Sequence, residues 1–422
     1  MNRSWLALVL AIAFWALPAI PARAAADVAT AREALRRHLD AEVLPYLTSR
    51  PEPVSPTWAH GHGMPIIRLL RMLYVEGIAL ERETDPATRQ LLSARYEGHF
   101  SRLLGGFRDP ADGLWFTATT YDGREVLHRA KNTSAQANLI CVLAELAARL
   151  DDARALDLAL QTFEALDRRA HDPESGGYTE RPDRPLGARE NRIKQLGTLI
   201  HVALALARLY RVAPSEAVRE RLEELVHILT VRIRLKKHGN AALGYDSDWR
   251  AVRVGRNPRQ QTLFGQNAEL GWYVDEAARA LGKNPAEYLP WLRQVTAGLL
   301  RNGIGQDGAA YLWGPWDGPP DSRHTLSWWP QTEAMILLSR MYELTGEPRY
   351  LASFETVRAF TFRHFVTDNS GAWLSAVNLR DGTTADGSAD PWFAGLHVVR
   401  MLIECERALS RAGATDPEGP TS

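Results

Sequence analysis

The sequence predicts an all-α protein, a closed (α/α)6 barrel made of six helical hairpins, and three observations lead there. Apolar residues recur at helical spacing through most of the 422-residue chain. Connections between the helical segments alternate between very short and long. The residues that follow each long connection repeat at a period of about 65, as stacked supersecondary units do.

About twelve helical segments are expected, near residues 28–48, 64–83, 86–104, 131–150, 152–170, 190–211, 213–235, 264–282, 285–302, 326–345, 347–366 and 391–410. Pro51, Pro53 and Pro56 mark the first break and Asp85-Pro86 the next. The short connections are Leu150-Asp151-Asp152, Val212-Ala213-Pro214, Lys283-Asn284-Pro285 and Gly346-Glu347-Pro348. The long ones place glycine beside aromatic residues, as in Gly113-Leu114-Trp115-Phe116, Gly176-Gly177-Tyr178, Gly244-Tyr245-Asp246 and Gly371-Ala372-Trp373. The unit is thus a helical hairpin, with its long loops on one face. Arg71, Gln136, His201, Gln266, Glu333 and His397 then fall at like places in every second helix. A single hairpin cannot bury its apolar face alone, so the ring is one cooperative domain. An open solenoid is the alternative. The stretch Leu199–Ala207, apolar on all sides except at His201, argues for helices enclosed by neighbours.

The chain start reads as a secretory signal peptide over residues 1–24. Arg3 is followed by the apolar run Trp5–Ile20, then by small residues at Ala22-Arg23-Ala24 and Ala24-Ala25-Ala26. A retained anchor is the alternative, but the run falls short of the ~20 residues a span needs. The barrel is expected over 27–412, a disordered polar tail over 413–422, and the location is periplasmic or secreted, with no membrane association after cleavage. Fifty basic and fifty acidic residues balance, which gives no footprint for nucleic acid or an anionic lipid surface. Two cysteines are too few for a disulfide framework. Cys141 and Cys405 sit in apolar helical stretches that suit buried thiols, and a bridge between them in an oxidising compartment stays open. A monomer and a homodimer are both compatible with the outer helices.

Polar residues on otherwise buried helices need partners or a task. These are Arg71 beside Tyr74 and Glu76, His201, the segment Phe264–Trp272 with Gln266 and Glu269, Trp328–Glu333, and Trp392 through His397 to Arg400. If the long loops mark the barrel mouth, these groups converge there. Each also has a plain structural reading. His201 could be a core histidine, Glu269 and Glu333 could close helix seams with Arg71 or Arg400, and Trp329 and Trp392 could be core packing instead of a rim on which sugars stack. His60 and His62 lack companion ligands at metal spacing, so no metal is expected. Asn132-Thr133-Ser134 matches a glycosylation acceptor only weakly. The chain has no P-loop, dinucleotide fingerprint, nucleophile elbow or HExxH motif.

From Arg71 to Arg400 the chain resembles the N-acylglucosamine 2-epimerase superfamily, which includes cellobiose 2-epimerases and mannose isomerases. Arg71-Met72-Leu73-Tyr74 is similar to the family's arginine segment, and Lys194–His201 to the stretch with an inner-helix histidine. Gly265–Trp272 resembles its Gly-His-Asp-Ile-Glu segment, Trp328–Glu333 its Trp-Trp-Pro-Gln-x-Glu, and Trp392–Arg400 its terminal pattern. The resemblance implies a small-molecule carbohydrate substrate and chemistry without a cofactor. The sugar ring opens, a proton leaves the carbon beside the aldehyde, and an enediolate is reprotonated. A base with a pKa near neutrality suits that step, as do donors around the charged oxygen. By resemblance His397 is acid or base, His201 assists ring opening, and Arg71 stabilises the oxygen. Gln266, Glu269, Trp272, Trp329, Glu333, Trp392 and Arg400 contact or position the sugar.

Two departures stand out. Gln266 occupies the place of the family's second acid/base histidine and cannot exchange a proton at neutral pH. Leu204 replaces a glutamate. Inversion at a carbon normally needs two proton-transfer groups, whereas an aldose–ketose shift on one face can run on one. Two other functions therefore compete with an epimerase or isomerase. One is a glycoside hydrolase or polysaccharide lyase using Asp246, Asp248, Glu269 or Glu333 in a pair about 5–10 Å apart. The other is a sugar-binding homologue that has lost catalysis.

Overall fold

The computed structural model describes residues 22–49, 63–316, 318–367, 371–385 and 391–414. Most of the expected leader and tail, together with His60 and His62, lie outside these residues. The first helix runs Ala22–Arg37 (α1) and continues through a π-helical turn, His38–Val43, into Leu44–Ser49 (α2). Then come Ile66–Arg82 (α3), Pro86–Arg102 (α4), Thr133–Leu150 (α5), Ala153–Ala170 (α6), Leu196–Val212 (α7) and Glu216–His227 (α8). Phe264–Ala280 (α9), Pro285–Gly298 (α10), Trp328–Thr345 (α11), Pro348–Phe365 (α12) and Pro391–Ala414 (α13) complete the helices.

Helices α3, α5, α7, α9, α11 and α13 form the inner ring: each packs on the next, and α13 packs back on α3. That closure makes the fold an (α/α)6 barrel and excludes the open solenoid. Helices α1, α4, α6, α8, α10 and α12 lie outside, each against an inner helix. The inner helices are buried almost all round, as the Leu199–Ala207 stretch predicts. No helix among the described residues is long and apolar enough to cross a membrane. Cys141 and Cys405 are both free thiols.

The short connections are cut by capping chemistry. Asp85, Asp152, Ser215 and Asn284 each accept a first-turn backbone N–H of the following outer helix. Asn284 and Glu287 form a reciprocal capping box, and Gly346 takes the left-handed conformation that ends α11 (φ 64°).

The long connections contain short antiparallel strands that the helical periodicity does not reveal. Four of the strands that lead into inner helices pair with the next long loop round the rim, whereas Val126–His128 and Thr384–Ala385 pair within their own loops. Gly63–Pro65, before α3, pairs with Ala118–Thr120. Lys194–Gln195, before α7, pairs with Gly244–Tyr245. Thr262–Leu263, before α9, pairs with Trp313–Gly314, and Thr325–Ser327, before α11, with Ala376–Asn378. The segment 190–195, expected as the start of α7, is instead a short turn and this strand.

Side-chain amides on the fourth residues of α5, α9 and α11 fasten these loops. Gln136 accepts from the Trp115 N–H (3.0 Å) and donates to its carbonyl (2.9 Å). Gln331 does the same at Ala310 (2.8 and 2.5 Å), and Asn267 accepts from the Ala241 N–H (2.7 Å). Buried polar groups are thus satisfied by tying loop to helix. Gln136, which aligns with His201 in the sequence period, is therefore a loop fastener.

The opposite end of the ring is closed by charge. Arg208 of α7 meets Glu145, Glu276 and Glu404 at 3.0, 3.0 and 2.9 Å. Arg340 of α11 meets Asp275, Glu276 and Glu404 at 2.9, 2.9 and 2.5 Å. Five of the six inner helices are joined in this network.

Candidate active site

The helix starts fix which residues share a level in the barrel. Counting from the first residue of each inner helix, the sixth is Arg71 in α3, Asn138 in α5, His201 in α7, Glu269 in α9 and Glu333 in α11. The seventh residue of α13 is His397. A level of polar and ionisable side chains thus lies less than two turns below the loop face, on a wall that is otherwise apolar.

Glu333 is the hub. Its Oε1 lies 2.7 Å from His397 Nδ1 and accepts from Arg400 Nη2 at 2.8 Å, and its Oε2 accepts from Trp272 Nε1 at 2.9 Å. Burial alone would raise its pKa, but Arg400 and the His397 contact outweigh it and hold the carboxyl at about 2. Arg400 Nη2 also lies 3.1 Å from His397 Nδ1, but the carboxylate is nearer and only accepts. Nδ1 therefore carries the proton towards Glu333 and Nε2 keeps the lone pair. Arg400 lies over the Trp272 and Tyr273 rings, 5.0 and 5.6 Å from their centroids.

Glu269 behaves oppositely. Its Oε1 accepts from the Tyr273 hydroxyl (3.0 Å) and Trp329 Nε1 (3.3 Å), and its Oε2 is buried with no partner among the described residues. Burial, then the charge on Glu333, pushes it up to about 8, so near neutrality Glu269 is held protonated beside ionised Glu333. Glu269, Glu333 and His397 bring ligand atoms within 4.8 Å of one another. Arg400, 3.8 Å from Glu269 and bonded to Glu333, already supplies the cation that such a cluster needs.

His201 stands on α7, with Nδ1 2.8 Å from Ser134 Oγ of α5. Burial and the Arg400 charge press its pKa down to about 4. Burial and Arg400 press His397 to about 3 against the pull of Glu333. Each folded value lies below the ordinary 6.5, so the neutral ring persists as pH falls and is lost only near those lower values. If these imidazoles act as bases, kcat/KM is expected to stay level from about pH 7.5 down to about pH 5. An acid limb centred near the ordinary histidine value in a pH–rate profile would contradict that placement.

The other expected site residues divide clearly. Arg71 is half-buried, and its charge reaches both histidines. Trp329 is half-buried and lies against Gly265, where a Cβ would come within 2.8 Å of its ring. Gln266 is half-buried with its amide over Gly197, where a Cβ would meet its Nε2 at 2.5 Å. Trp272, expected as a sugar contact, is fully enclosed and braces Glu333 from behind, so it offers no face to a ligand. The Trp392 side chain lies outside the described residues. Ser134, Asn138 and Tyr273 escaped the sequence reading. Asn138 could have been found from the same period, counted from the Asn132 cap instead of from Gln136.

Asp246 and Asp248 belong elsewhere. Asp246 accepts the Asp248 and Arg250 N–H groups in a tight turn, and Asp248 pairs with exposed Arg250. Glu269 and Glu333 stand on neighbouring helices beside the same Arg400, with oxygens within 4.8 Å of each other, short of the separation of about 5–10 Å expected of a hydrolytic pair.

The family model for N-acylglucosamine 2-epimerase (GlcNAc 2-epimerase) matches residues 61–392. The chain belongs to this family. It is 26% identical over 315 residues to a cellobiose 2-epimerase of Bacteroides fragilis, across 72% of this chain and 78% of the relative. The structure of cellobiose 2-epimerase from Spirochaeta thermophila superposes with a TM-score of 0.77 at 25% identity, over 91% of this chain and 98% of that one. D-mannose isomerase shares the fold, with a TM-score of 0.72 at 14% identity over 89% and 97% of the two chains. Family and fold together place the protein among the sugar epimerases and isomerases.

Proposed function

We propose that this protein interconverts reducing sugars without a cofactor, as a 2-epimerase or aldose–ketose isomerase, by proton transfer at the carbon beside the aldehyde. The observation that carries the reading is the Arg400–Glu333–His397 arrangement. It fixes the tautomer of a neutral imidazole and leaves Nε2 as the base. Arg71, at the same level, is a cation placed to stabilise the enediolate oxygen. Half-buried Trp329 offers an aromatic face to the sugar. Relatives named for cellobiose and for N-acylglucosamine suggest a mono- or disaccharide with a free reducing end. The apolar run Trp5–Ile20 and the small residues after it support export, so the substrate is sought outside the cytoplasm.

Proton NMR of the protein with a panel of reducing mono- and disaccharides in D₂O tests this. Deuterium is expected at C2, together with a new epimer or ketose. No exchange in any sugar would remove the proton-transfer reading.

A further inference from the structure

Epimerisation needs a proton delivered to the face opposite the one it left. The family's usual source, a histidine in the α9 segment, is here Gln266, which has no proton to exchange. The barrel geometry supplies another. Helices α7 and α13 are third and sixth in the inner ring of six and therefore stand across the lumen from each other. His201 and His397 sit on them at matching levels, as the sixth and seventh residues. Neither ring is sealed away: His201 is half-buried and the His397 side chain is 13% exposed. Nδ1 is engaged by Ser134 in one and by Glu333 in the other, and among the described residues neither Nε2 has a hydrogen-bond partner, which leaves it for a ligand.

The other ionisable groups described at this level of the barrel are poorly placed for the second face. Glu269 is 1% exposed, tied to Tyr273 and Trp329, and on the same wall as Glu333. Arg71 and Arg400 keep their protons.

We propose that His201 is the second proton-transfer group, working on the face of C2 opposite His397; this rests on the proton-transfer reading above. As the ring opens, His201 takes the proton of the anomeric hydroxyl while water protonates the ring oxygen and becomes hydroxide. His397 then takes the C2 proton, leaving the enediolate. The His201 imidazolium returns a proton to the other face of C2, which regenerates the aldehyde with inverted configuration. On ring closure the ring-oxygen proton passes to O1, and His397 gives its proton to the hydroxide. Each proton removed is thus replaced. If His397 instead returns its proton to C1 while the O2 proton passes to O1, the product is the ketose and the His201 imidazolium neutralises the hydroxide. The epimer-to-ketose ratio therefore reports which imidazole delivers.

The test is that ratio, with C2 deuteration, measured for wild type, His201→Asn, Ser134→Ala and Gln266→Ala on a sugar that wild type turns over in D₂O. Slower ring opening scales both products alike, so it leaves the ratio unchanged. His201→Asn is expected to keep C2 exchange and ketose formation while the ratio falls about tenfold or more. Ser134→Ala, which keeps the imidazole but frees Nδ1, is expected to move the ratio the same way by less. Gln266→Ala, which removes a group positioned near the sugar but no exchangeable proton, is expected to slow both products without lowering the ratio as His201→Asn does. Exchange with an unaltered ratio in His201→Asn, or a wild type that makes ketose and no epimer, overturns this proposal alone. Absence of exchange in wild type removes the proton-transfer reading, and this proposal with it.

Discussion

Replacing His397 with asparagine is expected to lower kcat by about 10²–10⁴-fold, the range for losing a positioned general base, while the barrel stays folded. Asparagine can still donate one N–H towards Glu333, so the hub carboxylate keeps three donors with Arg400 and Trp272. What disappears is Nε2, the lone pair that the Glu333 contact orients. KM should change little, because His397 acts on the reacting carbon and the sugar is held by other groups. Steady-state kinetics and a thermal melt of the same preparation separate the readings. A kcat loss at unchanged melting temperature marks a base. Collapse of the melt would mark His397 as a core residue whose burial with Glu333 matters for folding alone.

The sequence carried the ring, and the reason is periodicity. Twelve apolar stripes, capped by Asp85, Asp152, Ser215 and Asn284, are local signals that survive without knowledge of neighbours. The strands that lace the mouth loops were not legible. They are two or three residues long, and their partners lie in the next loop round the rim, so no period-2 pattern exists to read. The site was half legible. His201, Glu269, Glu333 and His397 stand out as polar residues on apolar helices, but the sequence cannot say which carboxyl is ionised. That follows from where Arg400 reaches: 2.8 Å from Glu333 and 3.8 Å from Glu269. Trp272 shows the converse. Its place in a family motif suggested contact with the ligand, and only packing reveals that it supports Glu333 from behind.

Gln266 acquires a physical context as well. Its amide takes the space above Gly197 that any side chain at 197 would need, so the two positions fit as a pair. A return to histidine at 266 places an imidazole against α7, one turn above His201, in the part of the lumen where the second proton is needed.

Arg340→Leu is expected to destabilise the protein by about 3–5 kcal/mol near pH 7.5, the cost of breaking a buried ion pair by removing one partner. Arg340 is 2% exposed and touches Asp275, Glu276 and Glu404, and the last two are shared with Arg208. Without it, the only buried guanidinium left beside Glu276 and Glu404 among the described residues is Arg208, supported by the partly exposed Arg211 at Glu276 and Arg407 at Glu404. Burial would by itself raise Glu276, but Arg208 and Arg340 outweigh it and hold the carboxyl at about 2. A carboxyl depressed in the folded state stabilises above its unfolded pKa, and this is lost as pH falls through the folded value. In the variant the depression shrinks, so Glu276 and Glu404 take up protons at higher pH and relieve their own repulsion. The deficit against wild type should therefore narrow between about pH 5.5 and about pH 3.5, as Glu276 titrates between its wild-type value of about 2 and the ordinary carboxyl range. Urea denaturation at both pH values measures it, with Arg411→Ala as a control, since the Arg411–Glu343 pair is largely exposed on the arginine side and worth about 1 kcal/mol or less. A deficit no larger than the control's would mean that the closed end is held by apolar packing alone. A deficit that narrows on acidification identifies the charge network as what joins α5, α7, α9, α11 and α13, leaving the other end of the same helices free to carry the half-buried groups that meet the sugar.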